Sequence, residues 1–390
     1  MKRQLNTPAV VVGGGLNALG IVRSLGAAGV PLTVVDTDAH SPAMQSRYGS
    51  KLLVPSLEGD ALVASLLTLA SNWGTPAMLF VTEEKGVNTI SEQRHRLAAP
   101  YLLRLPQHER LLQLMHKQGF AELAQACNAI VPKTVHISRT ADLAQLEDLR
   151  FPCVFKPSQK NYDYGARFQK AYKVASADEV RALYVQIEPV MADMVVQEWI
   201  EGEDDEIYFC LQYVGREKQR VSSFVGRKIR SWPPRIGGTA SCTAAWEFHD
   251  TLSARTHEFF VAAGFSGMGS MEYKRDSRDG QFYMVEPTVG RTDYQEEVAT
   301  LNGVNIPLAA YLHEAELPPP NAPTSAQQAP QPQIWRDPQP DKWSFEQGGR
   351  KVDARSAKHT INDAYLRWND PLPWLSLMCQ RVTARLRRSA

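Results

Sequence analysis

A glycine turn between two apolar strands constrains the fold of this chain more than any other feature. The β-branched run Pro8–Val12 is typical of a buried strand, and Pro31–Asp36 predicts a second strand. Gly13–Gly15 and a helical pattern lie between them, and Ala18 completes the spacing G-x-G-x-x-A. A strand, turn, helix and strand in this order predict a small doubly wound α/β domain over residues 1–110.

The glycine turn has two interpretations, and the sequence leaves both open. Glycines let the backbone approach a pyrophosphate at a helix N-terminus, and Asp36, at the end of the second strand, would then bind a ribose. The same turn also occurs where a helix simply packs closely on a sheet, so the motif alone does not decide between the two.

Composition excludes several classes of protein. The chain has 390 residues, which predicts two or three domains, and 43 Lys and Arg against 42 Asp and Glu give a net charge of +1. We therefore expect no nucleic-acid partner. Its five cysteines are dispersed without a C-x-x-C pair, and no apolar run reaches the ~20 residues of a membrane span. These features favour a soluble, cytoplasmic protein with reduced thiols.

Two apolar and aromatic segments, Met271–Lys274 and Phe282–Arg291, predict a β-hairpin around the polar turn Arg275–Gly280. Because side chains alternate along a strand, Glu272 and Glu286 are expected on one face of this hairpin. Two carboxylates on one face suit Mg²⁺, which takes its other ligands from phosphate and water. The alternative is an ordinary hairpin with solvated charges.

A basic strand precedes a loop rich in proline and glycine. Arg227, Lys228 and Arg230 lie directly before this loop, where arginines could clamp an anionic substrate through paired hydrogen bonds. The alternative is a basic strand whose charges are solvated.

The composition changes after residue 316. Residues 317–333 are rich in Pro, Ala, Ser and Gln, which predicts a linker, and residues 334–390 form an aromatic and basic tail. Its last helix carries Arg381, Arg385, Arg387 and Arg388 without an acid. Such a helix either docks on the body, which is more common, or contacts a membrane surface.

The chemistry-bearing residues occur in one order along the chain: Lys117, Lys156, Glu198, Glu206, Glu272 and Glu286. This order resembles the ATP-grasp superfamily over roughly residues 1–315. The resemblance implies a mixed α/β and α+β fold, with a Rossmann-like N-terminal domain before an ATP-grasp fold of two α+β subdomains. It also implies an ATP-grasp domain at 111–316, with a lid subdomain at about 115–195.

The resemblance assigns the nucleotide-binding residues. Lys117 and the strand-end Lys156 would contact phosphates. Glu198 and Ile200, in the segment Gln197–Gly202, would lie at the hinge that binds adenine. Glu206 would bind the ribose.

The resemblance also assigns the metal site and the transferred phosphoryl group. Glu272 and Glu286 would hold Mg²⁺, and Thr288 stands where relatives carry an amide ligand. Arg291 would face the phosphoryl group. The loop after Lys156 has a single glycine, Gly165, where relatives often have several.

The implied activity is ATP-dependent joining of a carboxylate to an amine through an acylphosphate. The segments Arg23–Leu25 and Ser46–Tyr48, with the glycine turn, resemble the carboxylate–amine ligase branch that includes D-aspartate ligases. An amino acid or a cell-envelope precursor is then the expected kind of substrate, and dimers are common in the superfamily.

Two other functions are weighed against this one. An NAD(P)-dependent oxidoreductase would use Gly13, Gly15, Ala18 and Asp36. A non-catalytic ATP-binding protein would keep the fold without turnover.

Overall fold

The structure is a computed structural model, and it describes residues 5–158, 162–235, 237–318, 331–348 and 360–389. The chain divides into two compact units. One comprises Met1–Leu111, Glu203–Met271 and Thr288–Ala390, and the other comprises Leu112–Gly202 and Glu272–Pro287. The domain bounds drawn from the sequence stay a prediction.

The N-terminal sheet has five parallel strands in the order β3-β2-β1-β4-β5. The strands are β1 (Ala9–Val12), β2 (Leu32–Asp36), β3 (Ser50–Leu53), β4 (Ala77–Val81) and β5 (Tyr101–Leu102). The helices of this region are α1 (Leu16–Ala27), α2 (Gly59–Ala70), α3 (Glu84–Glu92) and α4 (Arg94–Leu97). All four residues of the central strand β1 are fully buried, as expected for a parallel strand covered on both faces.

A four-stranded antiparallel sheet forms the second unit, in the order β6-β9-β7-β8. Its strands are β6 (Thr134–Ile137), β7 (Cys153–Pro157), β8 (Tyr172–Val174) and β9 (Met194–Glu198). The helices in this part of the chain are α5 (His108–Met115), α6 (Lys117–Ala126), α7 (Tyr162–Arg167) and α8 (Ala177–Ile187). Phe155, Tyr184 and Val196 lie in its own hydrophobic core.

The remaining strands form a seven-stranded sheet in the order β14-β13-β10-β11-β12-β15-β16. The strands are β10 (Ile207–Val214), β11 (Arg220–Trp232), β12 (Gly238–Ala244), β13 (Gly267–Arg275), β14 (Phe282–Val289), β15 (Ile334–Arg336) and β16 (Ile361–Asp363). The helices are α9 (His249–Ala262), α10 (Glu297–Leu301), α11 (Ile306–Glu314), α12 (Pro338–Glu346) and α13 (Leu372–Ser389). The hairpin predicted around Arg275–Gly280 is confirmed as β13 and β14, with Gly280 at a φ of +73° in the turn.

Helices α5 and α6 are separated by His116, whose backbone is extended. The two helices approach closely there, since a Cβ on Gly119 would lie only 2.5 Å from the Gln113 carbonyl oxygen. The segment around Gly165 forms α7, which Tyr164 anchors by burying its ring and donating a 2.7 Å hydrogen bond to the Gln169 carbonyl.

The tail is part of the first unit. β15 pairs antiparallel with β12, and Trp335 of β15 is 1% exposed within the core that also holds Ile21 of α1. Arg23 fixes the tail further, since it donates to the Asp370 carboxylate at 2.9 Å and to the Ala364 carbonyl at 2.7 Å. Most of the predicted linker, residues 319–330, lies outside the described residues.

Candidate active site

Lys156 lies near the end of β7, and its ammonium is held by a neutral partner. Its Nζ donates a 3.0 Å hydrogen bond to Oε1 of Gln197, and Gln197 Nε2 donates to Thr134 Oγ1 at 3.0 Å. Gln197 lies on β9 opposite Val154 of β7, so strand pairing positions it. The lysine is therefore oriented without being neutralised by an ion pair among the described residues.

Four other charged residues act on this ammonium. The pKa of Lys156 is lowered to about 8, chiefly by burial and also by Lys117 and Lys170, while Glu286 and Glu272 oppose the shift. Residues far apart in the chain therefore lie close enough to interact electrostatically. An anionic ligand near Lys156 would favour its charged form.

Lys117 is the first residue of α6 and lies close to the same strand end. Its Nζ donates a 3.1 Å hydrogen bond to the carbonyl of Pro157, the residue after Lys156. Two like charges brought together in this way lower each other's affinity for protons. They are arranged as a pair suited to a polyphosphate, which carries several negative oxygens.

Glu272 and Glu286 differ in exposure but act on the same lysine. Glu272 is partly buried in β13, whereas Glu286 is exposed in β14. Between them in the hairpin, the rings of Tyr273 and Phe282 pack edge to face with centroids 6.4 Å apart. The apolar contact fixes the hairpin that carries the two carboxylates, and carboxylate oxygens are ligands that Mg²⁺ prefers.

Magnesium fits this donor set better than a transition metal. Among the described residues, no group of three or more His, Cys, Asp or Glu side chains is arranged to enclose an ion. Mg²⁺ is commonly held by one or two carboxylates and takes its other ligands from substrate phosphates and water. Glu272 and Glu286 are carboxylates of the kind that such an ion takes from a protein.

The end of β9 and the residue after it are fixed by backbone hydrogen bonds to neighbouring segments. The N–H of Glu198 donates to the Lys133 carbonyl at 2.9 Å, and the N–H of Trp199 donates to Pro152 at 3.0 Å. The carboxylate of Glu198 accepts a 2.9 Å hydrogen bond from the N–H of Arg150. That carboxylate therefore ties the end of β9 to the chain before β7, and Ile200 is buried two residues further on.

Glu206 and Arg227 lie together in the first unit. Glu206 ends a 3₁₀ helix directly before β10, and Arg227 faces Tyr208 across the β10–β11 pair. Burial and the Glu206 carboxylate raise the pKa of Tyr208, while Arg227 lowers it. Arg227 also lies 3.8 Å from Glu247 and keeps 39% of its side chain exposed, so its guanidinium can reach a ligand.

Arg230 has a different environment from the one expected for a substrate clamp. Its guanidinium makes two 2.7 Å hydrogen bonds to the Asp341 carboxylate of α12, and the pair is buried. Trp232 and Trp343 pack beside it with ring centroids 5.5 Å apart. The structure therefore gives Arg230 a carboxylate from the tail as its partner, and a structural role accounts for the geometry.

Arg291 follows β14 and the turn residue Gly290, whose φ is +73°. It lowers the pKa of Glu83, which burial and the neighbouring Asp36 raise. Arg291 thus lies close enough to Glu83, which follows β4, to interact with it electrostatically. The position of Glu83 after a parallel strand is one where such sheets commonly bind ligands.

Asp36 is engaged within the protein. It is 5% exposed, and its carboxylate accepts hydrogen bonds of 2.6 Å from Ser41 Oγ and from the N–H of Thr37. A Cβ on Gly14 would lie 1.7 Å from Asp36 Oδ2. The glycine turn therefore serves close packing around this carboxylate, and nothing in that geometry favours the oxidoreductase alternative.

Comparisons with known proteins bear on the fold. A scan of protein-family models finds no match for this chain, and neither does a search of curated proteins. N5-carboxyaminoimidazole synthetase from Staphylococcus aureus, complexed with ADP, matches with a TM-score of 0.64 at 14% identity, over 85% of this chain and 82% of that one. Biotin carboxylase from Campylobacter jejuni, in a β-γ-ATP complex, matches with a TM-score of 0.63 at 12% identity, over 84% and 74%.

A third match is N5-carboxyaminoimidazole synthase from Aspergillus clavatus, in complex with ADP and 5-aminoimidazole ribonucleotide. Its TM-score is 0.62 at 14% identity, over 85% of this chain and 81% of that one. The chain has the ATP-grasp fold. This confirms the fold class expected from the sequence. Structural similarity at identities this low shows the fold, and activity depends on the residues of the site.

Proposed function

We propose that this protein is an ATP-dependent ligase that joins a small-molecule carboxylate to an amine, with release of ADP and phosphate. The observation that carries the proposal is the convergence on Lys156 of a second lysine and two carboxylates from distant parts of the chain. Separately, each of these residues has an ordinary structural explanation. Together they supply phosphate contacts and metal ligands in one place.

Lys117 and Lys156 bind the phosphates of ATP, and Glu198 and Ile200 bind the adenine through the hinge backbone. Glu206 binds the ribose. Glu272, Glu286 and Thr288 would hold Mg²⁺, which would supply positive charge to offset that of the transferred phosphoryl group.

The reaction has two steps. A carboxylate oxygen of the substrate attacks the γ-phosphorus, and the bond from that phosphorus to the β-γ bridging oxygen breaks, which yields an acylphosphate and ADP. The amine nitrogen then attacks the acyl carbon, phosphate leaves with the bonding electron pair, and the nitrogen loses a proton. Arg291 stabilises the transferred phosphoryl group, and Arg227 orients the carboxylate.

The substrates are small molecules, and an amino acid or a cell-envelope precursor is the class we favour. We assign Arg227 rather than Arg230 to the carboxylate, because Asp341 already pairs with the Arg230 guanidinium. Cytoplasmic action and a homodimer are part of the same proposal. None of the helices in the described part of the chain has the length and apolarity to cross a bilayer.

Phosphate release tests the proposal. The protein is incubated with Mg-ATP and pools of amino acids and small carboxylates, each alone and in combination. Phosphate that appears only when a carboxylate and an amine are both present supports a ligase. Binding of NADH without binding of ATP would support the oxidoreductase, and ATP binding without turnover across the pools would favour a binding protein.

A further inference from the structure

The terminal helix α13 carries an apolar stripe that the rest of the described chain does not cover. Leu372, Leu375 and Val382 are 48%, 46% and 57% exposed, and Cys379 is exposed between them. Their spacing of three, four and three residues places them along one face of a helix. Trp368, in the turn just before the helix, is 91% exposed and is the most exposed of the large apolar side chains described.

The opposite side of α13 is docked. Pro373 is buried, and the Gln380 side chain donates a 3.3 Å hydrogen bond to the His40 carbonyl. Arg381 is close enough to Asp337 to lower the pKa of that carboxyl. The helix is therefore fixed on one side and presents the stripe to solvent on the other. Single exposed apolar residues are common on protein surfaces, but an aligned set beside a tryptophan is characteristic of an interaction site.

Charge distinguishes the partners that could cover this stripe. Residues 371–390 contain Arg381, Arg385, Arg387 and Arg388 and no acid, so this segment has a charge of +4. The whole chain has 43 Lys and Arg, 42 Asp and Glu and a net charge of +1, so the 39 cations and 42 acids outside this segment leave −3. Positive charge is therefore concentrated on the helix that carries the apolar stripe.

We propose that the stripe Trp368, Leu372, Leu375 and Val382 binds the surface of an anionic lipid bilayer, and that the net positive charge of residues 371–390 adds electrostatic attraction to that surface. A helix with an apolar face, basic residues and an interfacial tryptophan lies in the plane of such a surface. A second copy of the chain is the less suitable partner, because it would bring two segments of like charge together. The proposal is independent of the ligase activity.

Co-sedimentation of the full-length protein with vesicles tests this surface. The wild-type protein should sediment with vesicles of phosphatidylglycerol and phosphatidylcholine and remain in solution with phosphatidylcholine alone. The double variant Leu375→Glu/Val382→Glu should lose sedimentation, because it places charges in the stripe. Val185→Glu is the matched control, since Val185 is 68% exposed on helix α8 and should change nothing.

Substitution of the arginines is the second part of the vesicle-binding test. The double variant Arg385→Gln/Arg388→Gln should weaken partitioning by about 25-fold, since each arginine near an anionic surface contributes roughly fivefold. Binding should also weaken as salt is raised. Circular dichroism confirms that each variant is folded.

Two results would overturn the proposal. One is failure of the wild-type protein to sediment with anionic vesicles, and the other is unchanged sedimentation of the folded Leu375→Glu/Val382→Glu variant. Analytical ultracentrifugation measures the oligomeric state and so tests whether a second copy of the chain binds the stripe. A wild-type dimer that the same substitutions convert to a monomer, with no vesicle binding by either protein, would assign the stripe to self-association instead.

Discussion

Lys156 and Arg230 are cations that the sequence marks equally as ligand-binding residues, yet their surroundings differ. Lys156 has a neutral hydrogen-bond partner, Gln197, and its pKa is lowered by burial and a neighbouring lysine. Arg230 donates two hydrogen bonds to the carboxylate of the buried Asp341. A cation whose charge is incompletely balanced is suited to an incoming anion, whereas a cation with a matched carboxylate is suited to holding two segments together.

The difference teaches that residue type and strand position alone do not separate a binding residue from a structural one. The hydrogen-bond partner of a cation distinguishes the two roles, and the partner of Arg230 lies 111 residues away in the sequence. The following variants test this distinction, beginning with the largest expected effect.

Asp341→Ala should destabilise the protein by about 3 to 5 kcal/mol, because it leaves the Arg230 guanidinium buried without its partner. The double variant Arg230→Met/Asp341→Leu should recover most of this loss, since it removes both charges. Urea unfolding measures the free energy. The exposed pair Arg235–Glu203 is the control, and Arg235→Ala should cost less than about 1 kcal/mol.

One result would contradict the structural role of Arg230. If Asp341→Ala kept its stability while Arg230→Met remained folded and lost turnover, Arg230 would act on substrate after all.

Glu286→Gln should reduce phosphate release by about a thousandfold, equivalent to roughly 4 kcal/mol, because the site loses a metal ligand. The fold should persist, since Glu286 is exposed. Single-turnover phosphate release measures the effect, with circular dichroism as the check on folding. Glu217→Gln, at an exposed turn, is the matched control. Normal turnover in the Glu286 variant would remove the metal assignment.

Lys156→Ala should weaken ATP binding by about thirtyfold, or roughly 2 kcal/mol, which is typical of losing a charge-assisted hydrogen bond. Isothermal titration calorimetry measures the affinity directly. Lys342→Ala, which removes an exposed surface lysine, should leave it unchanged. Equal affinities of wild type and the Lys156 variant would mean that the imbalance of charge around Lys156 has no role in binding.

The sequence predicted those features that have a local signal. The parallel sheet was predictable because its apolar strands and its glycine turn lie within about 30 residues. The hairpin was predictable from the residues of its turn. Lys117, Glu272 and Glu286, which the sequence grouped with Lys156, act electrostatically on that lysine. The exact roles of these residues in binding stay a prediction.

Long-range pairs had no such signal. Arg23 and Asp370 are 347 residues apart, so no local pattern predicts that they pair. The tail strands β15 and β16 are three residues long, which is too short to show a periodicity. The segments Arg23–Leu25 and Ser46–Tyr48, noted for a family branch, proved to be docking points of the tail, since Asp370 accepts hydrogen bonds from Arg23 and Ser46. A carboxylate can be assigned to its cation only after the chain has folded.

Glu296 extends the comparison to a buried charge with no partner. It is 1% exposed, and neither carboxylate oxygen has a hydrogen-bond partner among the described residues. Burial and the neighbouring Glu297 raise its pKa well above the usual range. Glu297 is itself paired with Arg23 and Arg367, so those arginines do not serve Glu296.

Glu296→Gln should therefore flatten the dependence of stability on pH. Because its pKa is raised in the folded state, the unfolded state binds fewer protons above about pH 4.3, and stability falls as pH rises toward the folded pKa. The variant should match wild type near pH 4.5 and exceed it by about 1 kcal/mol or more at pH 8. Unfolding at both pH values measures this, with Glu217→Gln as the exposed control. A variant less stable than wild type at pH 8 would show that the Glu296 carboxylate is stabilised, and that the contrast between matched and unmatched buried charges fails here.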